Sequence, residues 1–487
     1  MLSPVYQFLK RLPDPKNWKL WLLLILLLRL PLFLYLGWCF FEYDIHPHVG
    51  WMIQAADSVT FYEPLISWAD GNGYGLPCRM PGLAFPFVPL YWLFGSEIAR
   101  SLVVVFQFVL TSISVYLLGQ IAFNLFPKRF SFYLVVVLYA LFPLTATYDW
   151  IGSADSIHVS LLIIILWFFI LKTPNSLWQV LLLGLLLAWA IFIKEVFIVL
   201  APIFACYLVA SILRSKEYIS KAFRYAIVLA LPGIVLVAAW TGRNYKLYQE
   251  LIPVRPPVEW CYSSINQEVQ AAWKLVAAWG VDVGRFGAYS DWFRSKKFGV
   301  DAFPYPERVF TSGYNLDSLE LLKNDVQQSL AQTPVESSSR LESKVIERSD
   351  RFLESYKSER PWSYYIFNRF RLSFQLMFPD RIDGLPFPAF ANMGFVQKLI
   401  KVFTWLLWVL SSVSIFLGFC LFYKKILRLK RKVILVFALP LAVIFLLSFL
   451  VGFIEQRYFL TALPISILWL GLISGKLFTR LAERGKN

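Results

Sequence analysis

The feature that most constrains this chain is a series of unbroken apolar blocks, each of about 17–25 residues, the length at which an α-helix crosses a bilayer. Ten can be read, near residues 20–41, 98–123, 131–148, 155–171, 177–193, 196–213, 223–241, 397–422, 433–453 and 458–476. In hydrocarbon every backbone polar group must find its partner within the segment, so blocks of this kind fold as helices. The chain is 58% hydrophobic and 16% charged, whereas soluble domains carry about 25% charged residues. A soluble domain is excluded. The expected fold is an all-α integral membrane protein of about ten transmembrane helices with a mainly helical extracytoplasmic domain.

The net charge of +16 would suit a nucleic-acid partner if it were clustered on an accessible domain, and it is not. With the N-terminus inside, the inside segments hold 21 basic residues, Lys10 to Lys486, against Asp14, Glu217 and Glu483, a charge of +18. All other segments together carry −2. Short cytoplasmic loops collect Lys and Arg, so this sorting predicts both termini in the cytoplasm, in a multi-pass protein of the plasma (inner) membrane. The first block is read as a retained helix, since it is longer than a signal-peptide core and no small-residue cleavage site follows it.

Three regions follow: 1–242 with a first outer loop over 42–97, an extracytoplasmic domain over 243–396, and a final helical region over 397–487. Within the outer domain, Asn315–Glu359 has helical periodicity and mixed charge. Pro361–Met377 interleaves Trp362, Tyr364, Tyr365, Phe367 and Phe370 with Arg369 and Arg371, a pattern suited to a helix in the membrane interface. In the first loop, Trp51, Ala55 and Ala56 suggest a helix beginning near His48. Of five cysteines, Cys39, Cys206 and Cys420 lie in or near spans. Cys78 and Cys261 fall outside, where an oxidising compartment permits a disulfide.

Ionisable residues at membrane depth are costly and default to functional hypotheses. Here they gather at the outer rim. Asp44 follows the first span, Asp155 opens the fourth, and Lys194 and Glu195 fill the tight turn between the fifth and sixth. Arg79 lies in the first loop, Arg243 follows the seventh span, and Glu455 and Arg457 precede the last. Charges at span ends also snorkel or anchor helices to headgroups, which is the plain reading for Glu63, Glu97, Arg100 and Lys246. Arg29, inside the first span, requires an acid or carbonyl on a neighbouring helix. His46 and His48 flank Pro47 without the spacing of a helical metal face. Asp44 and Asp155 could hold a divalent cation, Mg or Mn, through oxygens and water.

The order of these features resembles that of the GT-C type membrane glycosyltransferases, in the bacterial branch related to protein mannosyltransferases and the lipid A aminoarabinose transferase. Asp44 stands where that branch has an acid after span one, with His48 where it often has an aromatic. Gly71-Asn-Gly-Tyr-Gly-Leu-Pro-Cys-Arg-Met-Pro-Gly82, running on to Tyr91-Trp-Leu-Phe-Gly95, is similar to its arginine-proline-glycine turn and phenylalanine-glycine ending. Ser153-Ala-Asp155 resembles the acidic opening of span four, with Ala154 as a departure from the usual register. Gly184 through Lys194 is similar to a glycine-rich helix ending in a basic residue. Trp240-Thr-Gly-Arg-Asn-Tyr245 resembles the segment entering the large outer domain, and Arg457-Tyr458 also fits. The ordered set spans roughly residues 1–250; it says nothing of the acceptor.

The resemblance implies an inverting transferase at the outer face, taking a sugar from a polyprenyl-phosphate donor to a lipid, glycan or protein acceptor. The implied roles are Asp44 as base and Lys194, Arg243, Arg79 and Arg457 on the donor phosphate. Asp155 would orient the acceptor or support a cation, with Glu195, His48 and Glu455 as acceptor or supporting groups. A polytopic transporter or lipid flippase is the rival reading, and a non-catalytic assembly protein the third. Transporters tend to show repeats and midplane polar sites, whereas these charges sit at one rim. Reporter fusions should place residue 300 outside and residues 215, 428 and 487 inside; a cytoplasmic signal at 300 would turn the rim toward the wrong compartment.

Overall fold

The computed structural model describes residues 12–55, 58–75, 78–172, 174, 176–214, 218–254, 267–280, 309–331, 335–427, 431–451 and 455–484. Its elements, in order, begin with α1 (Trp18–Tyr43), β1 (His48–Val49), β2 (Met52–Ile53), α2 (Ser58–Ala69), α3 (Ala84–Leu125), α4 (Arg129–Ala140) and α5 (Pro143–Trp150). They continue with α6 (Asp155–Trp167), α7 (Leu177–Ile193), α8 (Phe197–Arg214) and α9 (Ile219–Tyr248). After these come α10 (Gln267–Ala278), α11 (Leu316–Ala331), α12 (Val335–Glu359) and α13 (Asn368–Met377). Last are α14 (Phe395–Leu427), α15 (Arg431–Val451) and α16 (Phe459–Arg484).

Every expected span coincides with helix. Among the described residues, seven helices are long and apolar enough to cross a membrane, or eight if α4 and α5, bent by 47° at their break, count as one span. Leu177–Ile193 and Lys432–Leu446 are shorter apolar helices. The break between α4 and α5 falls at Pro143, the first residue of α5, where proline's missing N–H does least harm. A second break sits at Gly95 inside α3, at φ 76° and ψ 175°. It ends the exposed aromatic run Trp92-Leu93-Phe94 and separates the loop-proximal turns from the buried part of that helix.

The chain forms two compact units. The first comprises Met1–Pro256, Arg381–Val443 and Leu460–Asn487, the second Pro257–Asp380 and Ile444–Phe459. In the first, α1 buries Ile25, Arg29, Phe33 and Leu36 and exposes Leu23, Leu27 and Leu34. That is the arrangement of a helix packed on one side and facing lipid on the other. In the second, Leu275, Val276, Trp279, Leu319, Leu322, Val326, Val345 and Phe352 form a buried core. Asn368 ties α13 to it, donating to Ala278 O at 2.9 Å and to Tyr356 Oη at 2.8 Å. The helical reading of Asn315–Glu359 holds, and the aromatic segment Pro361–Met377 is helical, with Trp362, Tyr365, Phe367 and Phe370 exposed.

The first loop departs from expectation. No helix begins near His48. Residues 48–53 form an antiparallel hairpin, His48 opposite Ile53 and Val49 opposite Met52. Gly50, at φ +57°, takes the first position of the two-residue turn, a conformation that glycine adopts without strain. Val49 and Ile53 suit the pleat, and Pro47 disfavours a helix through this stretch. Asp44 therefore caps no following helix; it ends α1 in the left-handed conformation, φ 43°.

The loop then returns to the bundle at Gly82, where a Cβ would lie 2.3 Å from Phe192 C and O. Trp189 Nε1 donates to Gly82 O at 3.0 Å in the same contact. Only a residue without a side chain lets these backbones meet. Gly82→Ala should lower stability by about 1–3 kcal/mol, read as a fall in the thermal midpoint of the detergent-solubilised protein. An unchanged midpoint would mean that the loop does not dock there.

Candidate active site

The site is built around a short stretch where α5 has ended and α6 has not begun. Ile151 bridges to Ile53 and Gly152 N donates to Ile53 O at 2.9 Å, so the hairpin after α1 covers the break. Asp155 then opens α6, where a carboxylate favours the positive end of the helix dipole. Ser153 Oγ donates to Asp155 Oδ2 at 2.9 Å, and Lys194 Nζ lies 2.5 Å from Asp155 Oδ1. Lys194 is the extended C-cap of α7, its N–H donating to Ala190 O at 2.9 Å. The two side chains are 18% and 4% exposed, so the pair is half inside the protein, with the lysine on the open side. The turn also holds Glu195, partly buried.

Arg79 and Arg243 converge on Tyr74. Its hydroxyl donates to Arg79 O at 3.0 Å. The Arg79 guanidinium donates to Thr60 Oγ1 at 3.2 Å and lies 4.8 Å from the Phe61 ring centre. Arg243 donates to Asn244 Oδ1 at 2.8 Å and to Gly75 O at 3.2 Å. Its guanidinium lies over Trp240 at 5.0 Å and Tyr74 at 5.5 Å. Burial pushes the Tyr74 phenol well above its ordinary value, and the charges of Arg243 and Arg79 pull only partly against it, so it remains a neutral donor. Phe192, two residues before Lys194, meets Trp240 with ring centres 6.4 Å apart. Tyr74, Trp240 and Phe192 thus form one run of rings beside Arg243, with Phe192 two residues before Lys194.

Asp44 is exposed and, among the described residues, its carboxylate is engaged by no hydrogen bond or ion pair. His48 is exposed as well, with its ring edge-on to Phe41 at 4.9 Å, and burial lowers the proton affinity of His46. Glu455 and Arg457 pair with each other ahead of α16. His158 is buried and bonded to Ala154 O at 3.2 Å and Thr461 Oγ1 at 2.7 Å. The structure thus brings Asp155 together with Lys194, and Arg79 with Arg243, but joins Asp44 to neither set by a direct bond.

A divalent cation on Asp44 and Asp155 does not fit these donors. Asp155 spends one oxygen on an ammonium and the other on a serine hydroxyl, and a metal there would have to displace the like-charged Lys194. Among the described residues no group of three or more His, Cys, Asp or Glu side chains is placed to hold a metal.

Sequence reasoning missed Asp149. It is fully buried and receives Arg29 Nη2 at 2.6 Å, Thr111 Oγ1 at 2.8 Å and Ser156 Oγ at 2.5 Å. The signal was present, since Arg29 required an acid and Asp149 stands at the outer end of the third block. Arg100 and Glu63 are not headgroup anchors: they pair at 3.3 Å, with Arg100 buried and 5.5 Å from the Tyr62 ring centre, fastening α2 to α3. Cys78 is disulfide-bonded, while Cys39, Cys206 and Cys420 are free; Cys261 lies outside the described residues.

Residues 83–240 match the family model described as dolichyl-phosphate-mannose-protein mannosyltransferase. The matched stretch contains Asp155 and Lys194 and ends at Trp240. No curated protein sequence matches the chain. Among solved structures it is similar to ArnT from Cupriavidus metallidurans, crystallised in the apo state, at 13% identity and a TM-score of 0.34 over 93% of this chain and 76% of that one.

Proposed function

We propose that the chain transfers a sugar, with inversion, from a polyprenyl-phosphate donor to an acceptor at the outer face of the membrane. The observation that carries this reading is the grouping of Lys194, Arg243 and Arg79 at the outer ends of α7 and α9 and in the loop docked on them. An apolar cavity of about 620 Å³ lies between α7, α8 and α9, lined by small residues such as Gly184, Ala188, Ala201, Ala230, Gly233 and Ala238. An isoprenoid chain in that cavity would bring its phosphate to the rim, where a point-charge lysine and two arginine forks suit a phosphate diester. The disulfide at Cys78 supports an oxidising compartment on that side.

The chemistry follows from what leaves and what attacks. A lipid phosphate is a weak base and needs no proton on departure, but its growing charge needs fixed cations nearby. The attacking hydroxyl must lose its proton as the new bond forms, which is work for a carboxylate. Asp44, exposed and unengaged among the described residues, is suited to receive it. Asp155, already bonded to Lys194 and Ser153, is suited to hold the lysine in place. A transporter reading would use the bent α4–α5 pair and the charges inside it, yet Asp149 is committed to three donors.

Two expectations test this. Lys194→Met and Arg243→Leu should each weaken polyprenyl-phosphate binding by more than about tenfold, the loss of a charge-assisted hydrogen bond; unchanged affinity in both would remove them from the site. Asp44→Asn should purify, fold and bind donor like the parent while turnover falls by about 10²–10⁴, with Glu42→Gln as the tolerant control. If Asp44→Asn keeps more than about a tenth of parental turnover, well inside that general-base range, Asp44 is not the base.

A further inference from the structure

We infer that Arg29 and Asp149 are positioning residues, whose buried ion pair sets where Asp155 meets Lys194. The inference deepens the reading above, and its catalytic part rests on that reading. Asp149 is the penultimate residue of α5. Its Oδ2 takes Arg29 Nη2 from α1 at 2.6 Å, and its Oδ1 takes Thr111 Oγ1 from α3 at 2.8 Å and Ser156 Oγ from α6 at 2.5 Å. Gln107 Nε2, one turn before Thr111, donates to Asp149 O at 2.9 Å and Ile151 O at 3.3 Å. Two helices, α1 and α3, therefore hold the end of α5, and Ser156 ties the start of α6 to it.

The coupling runs through Ser156. It follows Asp155 directly, and successive helical side chains diverge by about 100°. One points to Asp149 while the other points to Lys194. Any rotation of the first turn of α6 that releases Ser156 from Asp149 must swing Asp155 away from Lys194. On the far side, Arg29 Nη1 reaches Ala140 O at 3.4 Å and Thr145 Oγ1 at 3.5 Å. The arginine thus also spans the bend between α4 and α5 and fixes the direction from which α5 arrives. Stability alone does not account for such a pair, because a well-packed apolar pair of similar volume is often as stable as a buried ion pair. What an apolar pair cannot do is hold Ser156 and Thr111 by directed bonds.

The test uses the purified full-length chain in lipid nanodiscs. Acylation of Lys194 by acetic anhydride, followed by peptide mass spectrometry, reports its pairing with Asp155 independently of any enzymatic turnover. Asp155→Asn gives the unpaired reference rate. The double variant Arg29→Met/Asp149→Leu removes both charges at once, so no lone charge remains to unfold the bundle. It should keep the parental thermal midpoint, yet acylate Lys194 at the rate of the Asp155→Asn reference. With a polyprenyl-phosphate sugar donor, kcat/KM should fall by about 10²-fold, the penalty for a misplacement near 1 Å. A folded double variant that acylates Lys194 at the parental rate overturns the inference. Should the double variant not fold, Ser156→Ala decides, since it removes the hydroxyl that bonds Asp149 and Thr111 at the start of α6 and leaves the ion pair intact. Faster acylation in Ser156→Ala supports the inference, and a parental rate overturns it. If the parent itself transfers no sugar from such donors, the functional reading fails, while the acylation rates still judge the positioning.

Discussion

A charge drawn into a bilayer protein persists only where an opposite charge and directed hydrogen bonds meet it. Two such meetings order one end of this bundle. Arg29 and Asp149 join α1 to the end of α5, and Asp155 and Lys194 join the start of α6 to the end of α7. Between them lie the few non-helical residues Ile151–Ala154, held from the loop side by the hairpin strand at Ile53. The helices alone would leave that stretch free to shift; the charge pairs and the hairpin fix it. Each pair contributes little to stability by itself, and their value lies in direction.

The helices were legible in the sequence because span length and apolar runs are set by the bilayer and do not depend on tertiary detail. The rim residues were legible for the same reason, since a charge beside an apolar block stands out. Which charges pair was not. Arg29 announced the need for a partner, but nothing in one sequence says that Asp149, 120 positions away, supplies it. Lys194 reads as a phosphate ligand from its place at a span end, and only the fold sets Asp155 2.5 Å from it. Tyr74 gave no signal, because a tyrosine in a glycine-rich loop becomes a hub only when Arg79 and Arg243 are folded around it. The segment after Asp44 was misread because the spacing of Trp51, Ala55 and Ala56 imitates a helical face, while Gly50 and Pro47 favour a turn.

The stretch that matches the family model, 83–240, holds the Asp155–Lys194 pair, while Asp44 and Arg79 precede it and Arg243 follows it. The flanking residues reach the same rim by different means. Arg79 arrives on a loop pinned at Gly82, and Arg243 on the last turns of α9, its guanidinium close to the Tyr74 and Trp240 rings. A central scaffold with side chains delivered from loops is the division of labour by which one fold serves several substrates. The apolar cavity beside it is lined by alanine, glycine and branched aliphatic side chains, which leaves room without offering any polar side chain to recognise.

The long separation between Arg29 and Asp149 also bears on how the protein is made. The first helix enters the membrane with an arginine near its middle, and the acid that neutralises it is synthesised 120 residues later. An arginine at that depth costs about 2.5–3.5 kcal/mol on insertion scales. Through that interval α1 depends on the leucine-rich run around the charge to stay inserted. Its buried face becomes comfortable only when α5 arrives and Trp150 stacks on Phe33, ring centres 4.5 Å apart. The charge on the first helix is thus matched by an acid only once the third block is in place.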